Sequence, residues 1–321
     1  MHLFINNLHR VQNYIIFAEK PVHIMENRKI SESELVIAPD SSIYHLRLKP
    51  GDVANTIILV GDPGRVELVS SFFDSLEVQI NNREFATRTG YYKNKRLSVI
   101  STGIGTDNID IVLNELDALF NIDFQTRTRK KEISQLHLIR LGTSGLLHKD
   151  INPGKTILSE FAGGLDNVLY FYKGVRDVIN KELGDRFSSL MARDRAQSEA
   201  YFVPASGQMT DIFKNISDLS GITLSAPGFY APQGRSLRLP LFDDDYLSKI
   251  KKFQYESLRI LNFEMESSAL YGLATLLGHH AVSLCIGLAN RTTGKFVTDY
   301  KPIMHEMVAN VLNQTLELPD E

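Results

Sequence analysis

With 321 residues, 43% of them hydrophobic and 23% charged, the chain has the composition of an ordinary globular protein. A net charge of −3 and a pI near 6.3 argue against a nucleic-acid polymer as partner, which calls for a basic stripe. No stretch approaches the ~20 apolar residues of a membrane-spanning helix. The single cysteine, Cys285, rules out an internal disulfide and fits a reducing cytoplasm.

Residues 1–40 read as an N-terminal extension, partly disordered. Arg10 and Lys20 bracket the short apolar segment Tyr14-Ile15-Ile16-Phe17-Ala18, which lacks the small-residue cleavage site of a secretory signal. Met25 opens the polar stretch Glu26-Asn27-Arg28-Lys29, and residues 1–24 read as an upstream extension before an alternative start. From 41 to 316, β-branched runs alternate with helical patterns. Predicted strands are Thr56–Val60, Leu97–Ser101, Leu136–Leu141, Lys155–Ser159, Ile222–Ser225 and Ala281–Leu288. Predicted helices cover 63–73, 107–120, 174–184, 244–260, 266–277 and 302–316. In 107–120, Ile109, Val112, Leu113, Leu116, Leu119 and Phe120 make an apolar stripe of helical period. The charged stretch 126–132 (TRTRKKE) is expected to be a solvated loop, and 317–321 a tail. Cys285, inside an apolar run, reads as a buried core thiol. The alternation predicts an α/β fold: a single domain with a central mixed, mostly buried β-sheet flanked by helices.

Four segments carry chemistry. Val60-Gly61-Asp62-Pro63-Gly64-Arg65 follows the first strand. Asp62 suits an N-cap and Pro63 the first helical position. Gly61 admits a ligand to the backbone, and Arg65 stands in a first turn that already favours an anion. A capped helix with a solvent-facing arginine is the other reading. Next, Thr102-Gly103-Ile104-Gly105-Thr106-Asp107-Asn108 invites a dinucleotide reading. The third glycine of that fingerprint is absent, which excludes NAD. In Ile139-Arg140-Leu141-Gly142-Thr143-Ser144-Gly145, a charge interrupts an apolar strand, where it is costly unless paired. Arg140 is then either an oxyanion ligand or half of a buried ion pair. Finally, Glu264-Met265-Glu266 places two carboxylates two residues apart at a predicted helix start. On an extended segment they share a face and could grip adjacent sugar hydroxyls. The alternative is the general preference for acidic groups at helix N-termini.

Taken in order, Gly-Asp-Pro-x-Arg at 61–65, Arg-Glu-Phe at 83–85, Thr-Gly-Ile-Gly at 102–105, Arg-x-Gly-Thr-Ser-Gly at 140–145 and Glu-Met-Glu-Ser at 264–267 resemble the nucleoside phosphorylase superfamily. The likeness runs from about His45 to the C-terminus. Phe229-Tyr230-Ala231-Pro232-Gln233-Gly234-Arg235 looks like the uracil-reading pattern of its uridine phosphorylase branch. Asn290-Arg291 stands near the place where purine-specific relatives put an aspartate.

The resemblance implies phosphorolysis of uridine in pyrimidine salvage, with Arg65, Arg140, Gln233, Arg235 and Glu266 as catalytic residues. Gly61, Arg65, Arg140 and Thr143 would bind phosphate, joined by Arg83 from a neighbouring subunit. Glu264, Met265 and Glu266 would hold the ribose, with His45 crossing a dimer interface to its 5′-hydroxyl. Phe229, Gln233, Arg235 and Arg291 would surround the base. It implies no metal and no organic cofactor. The partners are uridine and phosphate, neither nucleic acid nor membrane, and the assembly is a homodimer at least, which can repeat into a hexamer. Two alternatives stay open: a purine nucleoside phosphorylase or nucleosidase on the same fold, and a non-catalytic nucleoside or phosphate sensor. The stretch after Arg235 (SLRLPLFDDD) and Thr106-Asp107-Asn108 depart from the common pattern of the branch.

Overall fold

The computed structural model describes residues 28–191, 197 and 199–319. The elements begin with β1 (Thr56–Val60), α1 (Pro63–Ser70), β2 (Ser75–Asn82), β3 (Phe85–Tyr92), β4 (Lys95–Ser101) and α2 (Thr106–Asn121). A small hairpin of β5 (Ile122–Asp123) and β6 (Thr128–Arg129) precedes β7 (His137–Leu146), β8 (Thr156–Gly164), α3 (Val175–Val178) and α4 (Lys181–Met191). Then come β9 (Tyr201–Pro204), α5 (Gly207–Phe213), β10 (Leu219–Ser225), α6 (Tyr246–Lys252), β11 (Gln254–Tyr255) and β12 (Leu258–Glu264). The order ends with α7 (Ser267–Leu277), β13 (His280–Asn290) and α8 (Lys301–Thr315).

The expected α/β architecture is present. One mixed sheet runs β11-β12-β10-β8-β13-β7-β1-β4-β3-β2. β1, β4, β7 and β13 are mutually parallel, with Val60 in register with Ser101 and Leu141. Their C-terminal ends therefore reach one edge, where α/β sheets present loops to ligands. The apolar stripes of α2 and α7 cover one face, with Leu113, Leu116, Leu270 and Leu273 in a common cluster. Val66 and Val69 of α1 join Met304, Val308 and Val311 of α8 in another.

One pairing reshapes the sheet. β12 lies parallel to β10 and also antiparallel to β7, with Phe263 opposite Gly145. The strands β7, β13, β8, β10 and β12 thus close into a ring. A buried polar ladder crosses it: Asn262 Nδ2 donates to Ser144 Oγ (2.9 Å), and Thr223 Oγ1 donates to Asn262 Oδ1 (2.8 Å). Ser159 Oγ completes the ladder against Thr223. A fully bonded buried network permits one register and no other. It sets the end of β12 beside the end of β7.

Several expectations change. The helix expected over 244–260 stops at Lys252. Glu256, at φ 53°, then turns the chain so that Gln254-Tyr255 pairs with Leu258-Arg259, and Leu258–Glu264 becomes a strand. The helix expected over 174–184 divides at Asn180, whose side-chain oxygen accepts from Leu183 N–H (3.0 Å) and starts α4. The β2–β3 hairpin was not expected, because β2 (SLEVQINN) is mostly exposed and carries no apolar run. The stretch 126–132 is not wholly a solvated loop. Arg127 donates to the carbonyls of Ile30 (3.0 Å), Ser31 (3.0 Å) and Leu35, tying residues 30–35 to the domain. Leu35 and Ala38 are buried, and so is Leu318, whose carbonyl accepts from Lys95 Nζ. The expectations for residues 1–27 lie outside the described residues. Among the described residues no helix is long and apolar enough to cross a membrane.

At the opposite edge, His137 and His280 open β7 and β13 with their rings 5.4 Å apart and nearly parallel. His137 is 6% exposed, and among the described residues its Nδ1 has no hydrogen-bond partner. Burial, then the nearby His280, Lys95 and His279, push its pKa down to about 4. A depressed histidine leaves the folded state with fewer protons than the unfolded chain. Its stabilisation is present above the unfolded value near 6.5 and is lost as pH falls toward 4. Urea unfolding between pH 7 and 5 should show a decline to which His137 contributes at most about 1.4 kcal/mol per pH unit. His137→Phe should flatten that decline.

Candidate active site

Of the residues expected to bind phosphate, Gly61 and Arg65 follow β1 while Arg140 and Thr143 lie within β7. Asp62 takes extended backbone and accepts from Gly64 N–H (2.9 Å), so α1 begins at Pro63. Arg65, in the first turn, reaches across to β7. Its Nη1 donates to the Leu141 carbonyl (3.4 Å) and its Nη2 to Thr143 Oγ1 (3.5 Å), both long contacts. Its buried Nε has no partner among the described residues. Gly61 lies against the Gly103 carbonyl: a Cβ there would stand 3.5 Å away. These contacts turn Arg65 toward β7 rather than into solvent.

Arg140 is buried on β7. Space for its guanidinium exists because residue 142 is glycine: a Cβ at that position would lie 2.5 Å from Arg140 Nη1 and 2.8 Å from Cys285 Sγ. Cys285 is the expected buried thiol, and burial pushes its pKa up to about 12, so it stays protonated. Arg140 Nη2 bonds Glu266 Oε2 and lies 3.3 Å from Glu264 Oε2. Burial works against its charge, but the Glu266 and Glu264 carboxylates outweigh burial and raise its pKa further. Nε and Nη1 have no hydrogen-bond partner among the described residues. Of the two sequence readings of Arg140, the buried ion pair is present. Nη2 is in a buried ion pair, while Nε and Nη1 keep their donors.

The two glutamates differ. β12 ends at Glu264 and α7 begins at Ser267, the strand-to-helix junction expected from their spacing. Glu264 accepts from Ser225 Oγ, from the N–H groups of Glu266 (3.0 Å) and Ser267 (2.9 Å), and from Ser267 Oγ (2.9 Å). It caps α7 and has little acceptor capacity left for a hydroxyl. Burial raises its pKa, with Arg140 opposing. Among the described residues, Glu266 accepts only from Arg140 and from Gly105 N–H (2.8 Å). That amide stands at the start of α2, where a carboxylate is favoured by the helix dipole. Gly103 and Gly105 have φ of 71° and 101°, so the loop that carries the amide needs glycine at both positions. Met265 lies between the two glutamates, partly exposed.

The base-side residues adjoin this centre across Gly145, where a Cβ would stand 3.5 Å from Arg291 Cδ and 3.6 Å from Arg235 Nη2. Arg235 donates to Gln233 Oε1 (2.6 Å) and the Phe229 carbonyl (2.6 Å), with its guanidinium 3.7 Å over the Phe229 ring. Burial, then the charge of Arg291, lower its pKa to about 10, and it remains cationic at neutral pH. Arg291 donates to the carbonyls of Gln233 (3.0 Å) and Gly234 (3.1 Å), clamping the loop. Beyond Arg235 the chain exposes Leu237 (82%) and Phe242 (84%), and a cleft of about 390 Å³ opens between Pro232, Leu241, Phe242 and Tyr246. Asn290 is buried. Its Nδ2 donates to the carbonyls of His148 and Ile151 (2.8 Å each), and its Oδ1 accepts from Thr292 and Thr293 N–H (2.9 Å each).

His45 and Arg83 form a second cluster. Asn82 Nδ2 donates to the His45 carbonyl (2.7 Å), and the Arg83 guanidinium lies 5.7 Å from the Tyr44 ring centre. Arg83 is exposed at the β2–β3 tip, at φ 55°. Among the described residues no hydrogen bond joins this pair to Arg65, Arg140 or Glu266. Sequence reasoning missed Ser225, Ser267, Gly105 N–H and Glu115, the last bonded to His45. Only Ser267, three residues after Glu264 at a helix start, carried a local signal. Among the described residues no group of three His, Cys, Asp or Glu could hold a metal ion.

A family model described as the phosphorylase superfamily matches residues 55–317, and the chain belongs to that superfamily. It is 31% identical over 256 residues to a uridine phosphorylase of Thermococcus kodakarensis, with 79% of each chain covered. It is 27% identical over 277 residues to a purine nucleoside phosphorylase of the DeoD type from Bacillus cereus, covering 85% of this chain and 98% of the relative. A solved nucleoside phosphorylase of Trypanosoma brucei, described as showing uridine phosphorylase activity, superposes with a TM-score of 0.80 at 27% identity, over 88% of this chain and 99% of that one.

Removing Arg140 leaves two buried carboxylates without their cation. Arg140→Met should cost about 3–5 kcal/mol of stability at pH 7. Protonation of the orphaned carboxylates should shrink that difference as pH falls toward 5, in paired denaturant titrations of both proteins.

Proposed function

We propose that the protein is a pentosyltransferase of the uridine phosphorylase type, converting uridine and phosphate to uracil and ribose 1-phosphate. The observation that carries this reading is the pair of arginines, Arg65 against Thr143 and Arg140 against Glu266, each keeping buried N–H donors that have no partner among the described residues. Buried donors without acceptors are costly, and a bound oxyanion would satisfy them. The identity to uridine phosphorylases adds to it.

Phosphate is the nucleophile. Arg65, Arg140, Gly61 and Thr143 hold it, with Arg83 entering from a neighbouring subunit. Glu266 accepts from the 2′- and 3′-hydroxyls, Met265 lies under the sugar, and Glu264 holds the end of α7 so that Glu266 keeps its place. A phosphate oxygen forms the bond to C1′ as the C1′–N1 bond breaks, with inversion. The bonding electrons leave on the uracil ring. Gln233 and cationic Arg235 donate to its oxygens and stabilise that charge. Phe229 packs on the base, and Arg291 keeps the Gln233–Gly234 backbone in place. Orienting the two reactants supplies the rest of the rate gain. Asn290 bears on the purine alternative. It has no carboxyl proton to give a leaving purine, and both ends of its amide are engaged. A place in pyrimidine salvage, and a reducing cytoplasm for a chain whose only cysteine is buried, complete the reading.

Purified protein given uridine should release uracil only when phosphate is present, and should act poorly on inosine. Release at the same rate without phosphate would mark a hydrolase, and no release under either condition would favour a sensor.

The exposed tip that carries Arg83, which among the described residues has no hydrogen bond to its own chain's Glu266, supports a two-fold dimer as the smallest active unit. Arg83→Ala and Glu266→Ala proteins, each inactive, should regain activity on mixing. One site of each mixed dimer would carry neither change. No recovery despite verified subunit exchange would place Arg83 at its own chain's site or at none.

A further inference from the structure

Glu115 takes part in none of the steps above, yet it is more tightly engaged than most surface carboxylates. It projects from α2 with its side chain only 13% exposed. Its Oε1 lies 2.6 Å from His45 Nδ1. Both of its oxygens accept from His45 N–H (3.1 Å each), and Oε2 also accepts from Leu46 N–H (2.9 Å). Two consecutive amides and an imidazole therefore converge on one carboxylate, 70 residues away in sequence. The turn that presents them is held from both sides. Asn82 Nδ2 bonds the His45 carbonyl, and the Tyr44 ring, edge-on to His45 at 4.9 Å, lies under the guanidinium groups of Arg47 (5.9 Å) and Arg83 (5.7 Å).

A carboxylate can only accept, so the ring proton of neutral His45 sits on Nδ1. That leaves Nε2 as a lone-pair acceptor. The ring is 30% exposed, and among the described residues none is hydrogen-bonded to Nε2. We propose that Glu115 is a positioning residue: it fixes the tautomer and orientation of His45 so that Nε2 accepts the proton of the substrate's 5′-hydroxyl. This rests on the reading of His45 as the 5′-hydroxyl group's partner. A second partner that orients an imidazole through its other nitrogen typically changes function by about ten- to a hundredfold when removed. Glu115 also stiffens the Tyr44–Arg47 turn, and with it the cluster that offers His45 and Arg83 to the site.

The test compares uridine with 5′-deoxyuridine, which lacks the hydroxyl but keeps the reacting bond. Glu115→Gln is nearly isosteric, yet one of its two termini donates rather than accepts and faces an N–H. In E115Q, kcat/KM for uridine should fall about tenfold while that for 5′-deoxyuridine stays within about twofold of the wild-type value. His45→Ala should show the same selective loss, and the double variant should lose no more than H45A alone. Equal losses on both substrates in E115Q would make Glu115 a fold residue and overturn the proposal. A selective loss in H45A with none in E115Q would overturn the role of Glu115 and leave the site reading standing. If H45A treated both substrates alike, the placement of His45 at the 5′-hydroxyl would fall, and the proposal with it. Should E115Q not fold, Glu115→Asp, which keeps the carboxylate but withdraws it by one methylene, carries the same comparison.

Discussion

A single buried cation, Arg140, holds the site together. It stands on β7 with Glu264 and Glu266 on one side of its fork and unpartnered donors on the other. A charge this far from water survives only with partners, so both carboxylates must arrive together. They do so because β12 pairs with β7 and places Phe263 opposite Gly145. One cation against two anions would leave excess negative charge. Two helix starts take it up: Glu264 receives the first amides of α7, and Glu266 receives Gly105 N–H at the head of α2. Gly142 completes the arrangement by leaving room for the guanidinium above Cys285.

The two carboxylates, alike in sequence, thus have opposite roles. Glu264 is saturated by donors and behaves as part of the scaffold. Glu266 keeps acceptor capacity and is held from two directions. The same division recurs between Arg291 and Arg235. Arg291 clamps loop carbonyls, while Arg235 lies across Phe229 and against the Gln233 amide. Burial, and after it repulsion from Arg291, lower the pKa of Arg235, but not enough to discharge it at neutral pH. Preorganised cations beside a leaving group are effective because the reorganisation occurs during folding rather than during reaction.

Legibility in the sequence followed the range of the forces involved. The strand cores β1, β4, β7, β8, β10 and β13 were readable from apolar runs, as were the amphipathic α2 and the capped start of α1 at Asp62-Pro63. The hairpin strand β2 was not, since an exposed strand needs no apolar run, and the first three residues of β12 fell inside an expected helix because a short apolar run fits either period. In the site, Arg140 stood out because a charge interrupts an apolar strand, Arg65 by its capped first turn and the Glu-Met-Glu segment by its paired carboxylates, whereas Arg83 and Arg235 gained meaning only from the family resemblance. Glu115 and Ser225 did not, since each is an ordinary polar residue whose partner lies 70 or 39 positions away.

What the sequence determined by itself was local and chemical: the α/β alternation, the strand-to-helix junction at Glu264–Ser267, the glycines that a tight loop needs, and the residue types able to meet phosphate, sugar and base. Periodicity, capping and side-chain chemistry act over a few residues and are written in the order of the chain. Tertiary structure alone decided which of the two glutamates stays available, which face of Arg140 is occupied, and which nitrogen of His45 faces a carboxylate. Each of these depends on a partner brought from a distant strand or helix. For Arg140 and the two glutamates that partner arrives through the closure of the β7–β12 ring, and for His45 through the packing of α2.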